Sequence, residues 1–533
     1  MQNQNFTPNE ARPEAQSQRF PFYTTPEPPP KPKPVFTARD TAFAYASLIV
    51  GYLFAIALPA SKTPLGTLLA ILLLYAFGAV YLRVNKFSPS VRSTVCGICF
   101  SLFSLSLITN GNGTVRFFAC TVAICGFLFF LSDAAGALFG GLLSNDLLRH
   151  LKQATLSTPW SRPLAVFPAL IPTKADGISK KIGKTALWIL LGILLAAIPT
   201  AIIIALLSYD EQFMGLLEQI FSFEIDGIGE LIADLAVALI TAALVFGTLY
   251  TIKEKRNDPP SKSAPVNTHV LPRPLLCAAV TPILIVYVIF FISQKDYYLS
   301  ALTSRLPQDL TFAEYARQGF FELCWVCAIN ALLLLLFNLL IVKREGGKNL
   351  LVRIYSSVIS VFTLVLIATA LSKMLLYIDA YGLTQKRVYT SWFMLLLAFA
   401  FIAVLIKQIL ARFPLLPTLA VGALLAFALI ALPNVDKTIA DYNVDRYLDG
   451  DSKTVDVHVL KELGSSSVPA LTELEKALGS CGTATQTEDQ RFLLNETKSV
   501  LDELDASLAE KESSLFSFNI PDAIARALLE ERK

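Results

Sequence analysis

The chain has 533 residues, of which 54% are hydrophobic and only 16% charged, with a formal net charge of +3 and a mean hydropathy of +0.55. Soluble domains carry about 25% charged residues, so these residues cannot coat a water-soluble globule of this length. Nothing in that charge points to nucleic acid as a partner. The eight cysteines are scattered, mostly in apolar runs, so no disulfide framework is expected.

Residues 1–40 are rich in Gln, Asn, Glu and Pro and end in PEPPPKPKP. Proline removes donors and favours polyproline II, so this arm reads as a disordered or semi-extended cytoplasmic tail. It has no apolar core near Met1, and no cleavable signal peptide is expected.

From 41 to 432 uncharged apolar stretches recur, each long enough at about 1.5 Å per residue to cross a hydrocarbon core of roughly 30 Å. Backbone in lipid must satisfy its own hydrogen bonds, which makes these stretches helices. No alternating β-barrel pattern appears. Eleven spans are predicted, at 41–59, 65–82, 91–109, 115–132, 185–207, 229–251, 274–293, 319–342, 353–378, 390–410 and 414–432. The expected fold is all-α: a polytopic transmembrane helix bundle.

Lysine and arginine in short loops tend to remain cytoplasmic. Arg83, Lys86 and Arg92 occupy one loop; Lys253, Lys255, Arg256 and Lys262 another; Lys343, Arg344 and Lys348 a third. The intervening loops are different: 110–114 (NGNGT) is uncharged, and the one from Asp210 to Glu230 is purely acidic. The expected orientation therefore has the N-terminus inside and, after an odd number of spans, the C-terminus outside. The long segment 133–184 pairs Leu147, Leu148, Leu151 and Trp160 with basic residues, and is expected to lie along the inner interface.

Residues 433–533 change character, with 20 acidic and 11 basic residues and helical periodicity. They predict a small acidic helical domain outside the membrane, with a Gly/Ser/Thr-rich break at 479–487.

Charged residues inside spans are costly and are functional candidates by default. Glu314 and Arg317 share a helical face just before the eighth span, and Glu322 lies one turn into it. In the ninth span Thr369, Lys373 and Tyr377 follow at i, i+4 and i+8. The expected orientation puts Glu322 and Lys373 at similar depth in the outer leaflet, with Asp234 of the sixth span in the same layer. A pair that neutralises both charges is one reading. The other is structural: Lys373 snorkels to the interface and Glu322 pairs locally with Arg317.

The CxxC pairs Cys96/Cys99 and Cys324/Cys327 sit in apolar helices without basic neighbours, which favours packing over thiol chemistry. Asp133 reads as an interfacial residue. His150, His269 and His458 are far apart, and no catalytic or nucleotide fingerprint is present. No cofactor or metal is expected.

The strings TFAEYARQGFFELCWVCAINALLL (311–334) and LSKMLLYIDAYGLTQKRVYTSWFM (371–394), followed by IADYNVDRYLDG and SSSVPALTEL, give the chain its family likeness. It resembles the bacterial membrane proteins of domain of unknown function 4173, with relatives in the neighbouring 4153 group. The resemblance marks Glu314, Tyr315, Arg317, Gly319, Glu322, Tyr381, Gly382, Thr384 and Arg387 as family-typical without assigning them a role, and it implies a bacterial cytoplasmic membrane. Three functions remain open: an envelope sensor, scaffold or regulator whose acidic domain meets a protein or lipid partner outside; a transporter lined by Glu322, Lys373, Asp234 and Asn330; and an outer-face enzyme acting on lipid or envelope precursors.

Overall fold

The structure is a computed structural model that describes residues 35–58, 63–138, 146–171, 192, 228–257, 273–293, 320–340, 350–410, 412–480, 487–511 and 514–533. Every regular element among them is helical. α1 (Ala38–Ala57), α2 (Pro64–Val84), α3 (Val91–Leu102, prolonged by shorter turns to Thr109) and α4 (Gly113–Ala134) run up and down in succession. A short α5 (Leu147–Lys152) is followed by tight turns up to Ala169. Then come α6 (Ile228–Glu254), α7 (Arg273–Ser293), α8 (Phe320–Leu340), α9 (Leu350–Tyr381), α10 (Gln385–Ile409) and α11 (Leu415–Ala431). The tail forms α12 (Val435–Leu448), α13 (Val457–Glu462), α14 (Val468–Ser480), α15 (Glu488–Glu510) and α16 (Ile520–Arg532).

Ten of the eleven expected spans coincide with helices; the remaining one, the fifth at 185–207, falls outside the described residues except at position 192. Among the described residues seven helices are long and apolar enough to cross a membrane, or eight if α11 and α12, bent by 58° at their junction, are counted as one. The described parts of α7 and α8 supply shorter apolar stretches, Val280–Ile292 and Leu323–Leu334, so eleven full spans are not reached among the described residues. The chain is a polytopic helical membrane protein.

The helices form two groups. In the first, α1 to α4 and α6 share a core that includes Phe54, Ile71, Leu82, Phe127 and Leu249. α1 meets α6 through small residues: Ala44, Ser47, Gly51 and Ala55 on one side, Ala238 and Ala242 on the other. Apolar helices have no hydrophobic reason to associate in lipid, so close backbone approach supplies the contact energy. The start of α1 is fixed electrostatically. Thr37 and Asp40 form a capping box, and the Asp40 carboxylate, 1% exposed, takes both hydrogen bonds of Lys253 Nζ at 2.6 and 2.7 Å. Arg162 pairs with Glu254 in two contacts, at 3.0 and 2.7 Å, tying the loop after α5 to the same end. Leu148 and Leu151 on α5 and Leu156, Trp160 and Leu164 after it are exposed, while Val166, Phe167 and Ala169 pack with α1 and α6.

The second group, α7 to α10, has its own core of Cys327, Leu334, Ile359, Leu366, Met374 and Phe401. α11 joins the two. Trp392 Nε1 on α10 donates to Ala426 O at 2.8 Å, and the Phe427 ring stacks on Phe103 of the first group at 5.5 Å. The tail helices bury a third core, including Ile439, Leu460, Leu471, Leu501 and Leu529. Amphipathic α14, α15 and α16 need one another to cover their apolar faces. The tail sits at the end of the bundle where α1 finishes and α2 begins, the tail end, with Phe516 packed against Gly66.

Candidate functional site

At the tail end, the turn from α9 to α10 must reverse the chain within three residues. Gly382 does so at φ +74°, a conformation glycine adopts freely. Thr384 then caps α10 by accepting from Arg387 N at 3.4 Å. The Arg387 side chain folds back over this turn, donating to Tyr381 O at 2.9 Å, with its guanidinium 4.0 Å above the Tyr377 ring.

The turn is also held from the tail. Asn443 of α12 accepts from Leu383 N at 2.7 Å and donates to Leu383 O at 2.8 Å, so a single side-chain amide satisfies both backbone groups. Its oxygen lies where a Cβ on residue 382 would stand. Arg446, one turn on, donates to the last carbonyls of α9, Ile378 O at 3.1 Å and Asp379 O at 2.8 Å. Ile378 O also accepts from Gly382 N at 2.8 Å; carbonyls in the last turn of a helix carry partial negative charge, so a cation is well matched to them. Between the two strings a polar recess of about 260 Å³ is lined by Tyr381, Thr384, Arg387, Arg446, Thr454 and Asp456.

The first helix group is seated on the same junction. Asn110 Nδ2 donates to Ala431 O at 3.2 Å and Pro433 O at 2.9 Å, and Thr109 Oγ1 donates to Leu432 O at 2.9 Å. Gln385 Nε2 donates to Asp436 Oδ1 at 2.9 Å. Burial pushes the Asp436 carboxyl above its usual range, and the Gln385 hydrogen bond only partly offsets this. A carboxyl whose folded pKa is raised contributes stability that is full below its unfolded pKa, about 3.9, and is lost as pH rises through the folded value. Asp436→Asn keeps the hydrogen bond and removes the charge. It is expected to raise the melting temperature near pH 8 and to leave it unchanged near pH 4; a lower melting temperature at pH 8 would count against this assignment. Asp522 on α16 has the opposite sign: burial raises its carboxyl, but hydrogen bonds from Ser465 and Asn519 and the nearby Lys511 ammonium outweigh it and hold it below the usual range.

A second polar feature runs inside the second group. Tyr287 OH donates to Asn330 Oδ1 at 2.6 Å, Asn330 Nδ2 donates to Thr363 Oγ1 at 2.9 Å, and Thr363 Oγ1 donates to Ile359 O at 2.7 Å. Ser356, Ser360, Thr363, Thr369 and Lys373 are all buried on α9. Lys373 is 1% exposed, and Tyr377, one turn further, is the ring beneath Arg387. α9 thus carries polar groups from the middle of the bundle to the clasped turn.

The sequence candidates are distributed accordingly. Tyr381, exposed, and Arg387, half-buried, meet in the clasp. Lys373 is buried within the bundle and does not reach the surface. Asp234 is half-buried on α6 of the first group, whereas Lys373 belongs to the second. Glu314, Arg317 and the Glu322 side chain lie outside the described residues, and with them the expected Glu322–Lys373 pair. Cys324 and Cys327 pack in the second core, and Cys96 and Cys99 lie on α3. Among the described residues no three His, Cys, Asp or Glu side chains gather as a metal site. Asn443 and Arg446 carry no role expected from the sequence, although both stand in the string IADYNVDRYLDG. Nor is Asp40 among the expected site residues, although Thr37 and Asp40 make a Thr-x-x-Asp box at the start of an apolar run.

The chain matches the family described as Domain of unknown function (DUF4153) over residues 96–474, most of its length. The chain belongs to that family. Of the two related groups its strings resemble, it is the 4153 group that matches. The matched region opens in α3 and closes within α14, so it contains both halves of the clasp. No curated protein sequence and no solved structure matches the chain. This DUF4153 protein is an integral membrane protein, and membership of the family brings no assigned activity.

Proposed function

We propose that the protein is a scaffold or regulator of the bacterial cytoplasmic membrane, with its acidic tail domain facing outward to receive an envelope partner. One observation carries the reading: the tail is clasped to the bundle, not tethered to it. Asn443, Arg446, Asp436 and the backbone of 431–433 engage both helix groups through directional hydrogen bonds. A partner that shifts α12 therefore pulls on α9, α10 and the loop at Asn110 together. The loop charges support the outward orientation of the tail. The test is affinity capture of the full chain from its native membrane in mild detergent, followed by mass spectrometry. A stoichiometric envelope protein is expected with the wild type, and reduced at least ten-fold by Asn443→Ala plus Arg446→Ala, which loosen the clasp. Equal capture by both proteins, or none by either, would contradict the reading.

A second reading, transport, is favoured by the Tyr287–Asn330–Thr363 chain and by buried Lys373, since polar groups within a bundle mark candidate substrate paths. Solute flux in proteoliposomes that Asn330→Leu abolishes would favour it over the first.

A further inference from the structure

We infer that the groove between α3 and α11 is a binding site for one anionic phospholipid, whose phosphate rests at Arg92 and whose acyl chain lies along the groove. The groove encloses about 530 Å³ and its lining is apolar except at one end, where Arg92 and Asp133 stand. Its floor is firm, because Phe100 and Phe103 are 8% and 7% exposed. Its rim, including Val95 and Leu425, is open to the surroundings of the helices. Along α3 the lining runs from Arg92 to Phe103, about 16 Å at 1.5 Å per residue, and Leu432, level with Thr109, extends it further, so the recess covers at least the roughly 15 Å of hydrocarbon in one leaflet. The recess is thus long enough for a whole acyl chain whose head lies at the charged end.

The charge arrangement selects the head. Asp133, almost fully buried, is satisfied first by the Ser93 hydroxyl at 2.7 Å. The nearest Arg92 nitrogen lies 3.6 Å from its other oxygen, outside hydrogen-bond range, and the Arg92 side chain is 48% exposed. A guanidinium has five N–H donors, and this loose contact leaves Arg92 able to bind a phosphate in two-pronged fashion. Asp133 keeps the guanidinium near the mouth of the groove, and the exposed cation faces the interface. A zwitterionic lipid offers the same phosphate with a compensating amine, so the groove is expected to prefer phosphatidylglycerol to phosphatidylethanolamine. Ordinary annular lipid would show neither a fixed stoichiometry nor this preference.

The test is native mass spectrometry of the full chain in detergent, after equal loading with phosphatidylglycerol and phosphatidylethanolamine and extensive washing. The wild type is expected to retain one phospholipid per chain, enriched at least five-fold in phosphatidylglycerol. Leu425→Trp, which fills the groove, should lower retention at least ten-fold; Leu429→Trp, on an exposed neighbouring position outside the lining, should not. Arg92→Gln should erase the headgroup preference and Arg92→Lys restore most of it. Monodisperse gel filtration of each variant guards against misfolding. Retention unchanged by Leu425→Trp, a preference unchanged by Arg92→Gln, or a retained molecule that is a second copy of the chain or a lipid lacking phosphate would overturn the assignment. None of these outcomes depends on the proposed partner of the tail.

Discussion

Gly382→Ala is expected to lower the stability of the purified protein by about 2–4 kcal/mol, read as a fall in melting temperature in detergent. Two costs add. A side chain in the left-handed region costs roughly 1–2 kcal/mol, and the new Cβ collides with the Asn443 oxygen, which must move away from Leu383. Each lost hydrogen bond to that backbone contributes about 1 kcal/mol. The two residues should therefore couple. Asn443→Ala alone costs about 2 kcal/mol by leaving both Leu383 groups without the amide. In that background the collision is gone, and Gly382→Ala should cost only its conformational part, about 1–2 kcal/mol. Additive losses would mean that the turn and the tail do not read each other, and the clasp would lose its main support.

Gly51→Leu is expected to be as damaging, by about 3 kcal/mol or more, through a different mechanism. A Cβ at residue 51 meets the carbonyl oxygen of Ala238 and crowds Ala242, and both are helix backbone or stub side chains that cannot turn aside. The change forces α1 from α6, and overpacking of this kind costs about 1–3 kcal/mol even where neighbours can adjust. The separation also lengthens the Asp40–Lys253 contact at the far end, where a nearly buried carboxylate depends on that single ammonium and its own cap. Gly113→Ala, at the start of α4 with open space around it, is the matched control and should change little. A well-folded Gly51→Leu protein with an unchanged melting temperature would show that α1 and α6 are not packed as described.

The helices were legible because lipid imposes one rule: an uncharged run of sufficient length has no alternative to helix. Pairings were not, because apolar runs of similar composition give no register. That Gly51 faces Ala238 follows from the two small-residue stripes only once the partner helix is known. Lys373 shows the same limit. Counted from the expected end of the ninth span, its amine could have reached water, but α9 continues to Tyr381 and the side chain is buried within the second group. The YGLT and NVDR strings stood out in the sequence as family markers about 60 residues apart. Only the fold explains them together, since Asn443 and Arg446 answer backbone groups of Leu383, Ile378 and Asp379, and backbone acceptors leave no trace in residue identity.

The proposed role requires an outward-facing tail. Exposed cysteines introduced by Glu488→Cys on α15 and by Lys255→Cys at the opposite end, each in a Cys481→Ser background, test it directly with a membrane-impermeant maleimide. The Glu488→Cys protein is expected to label fully in intact cells, and the Lys255→Cys protein only after permeabilisation. The reverse pattern would place the tail in the cytoplasm and contradict the proposed role.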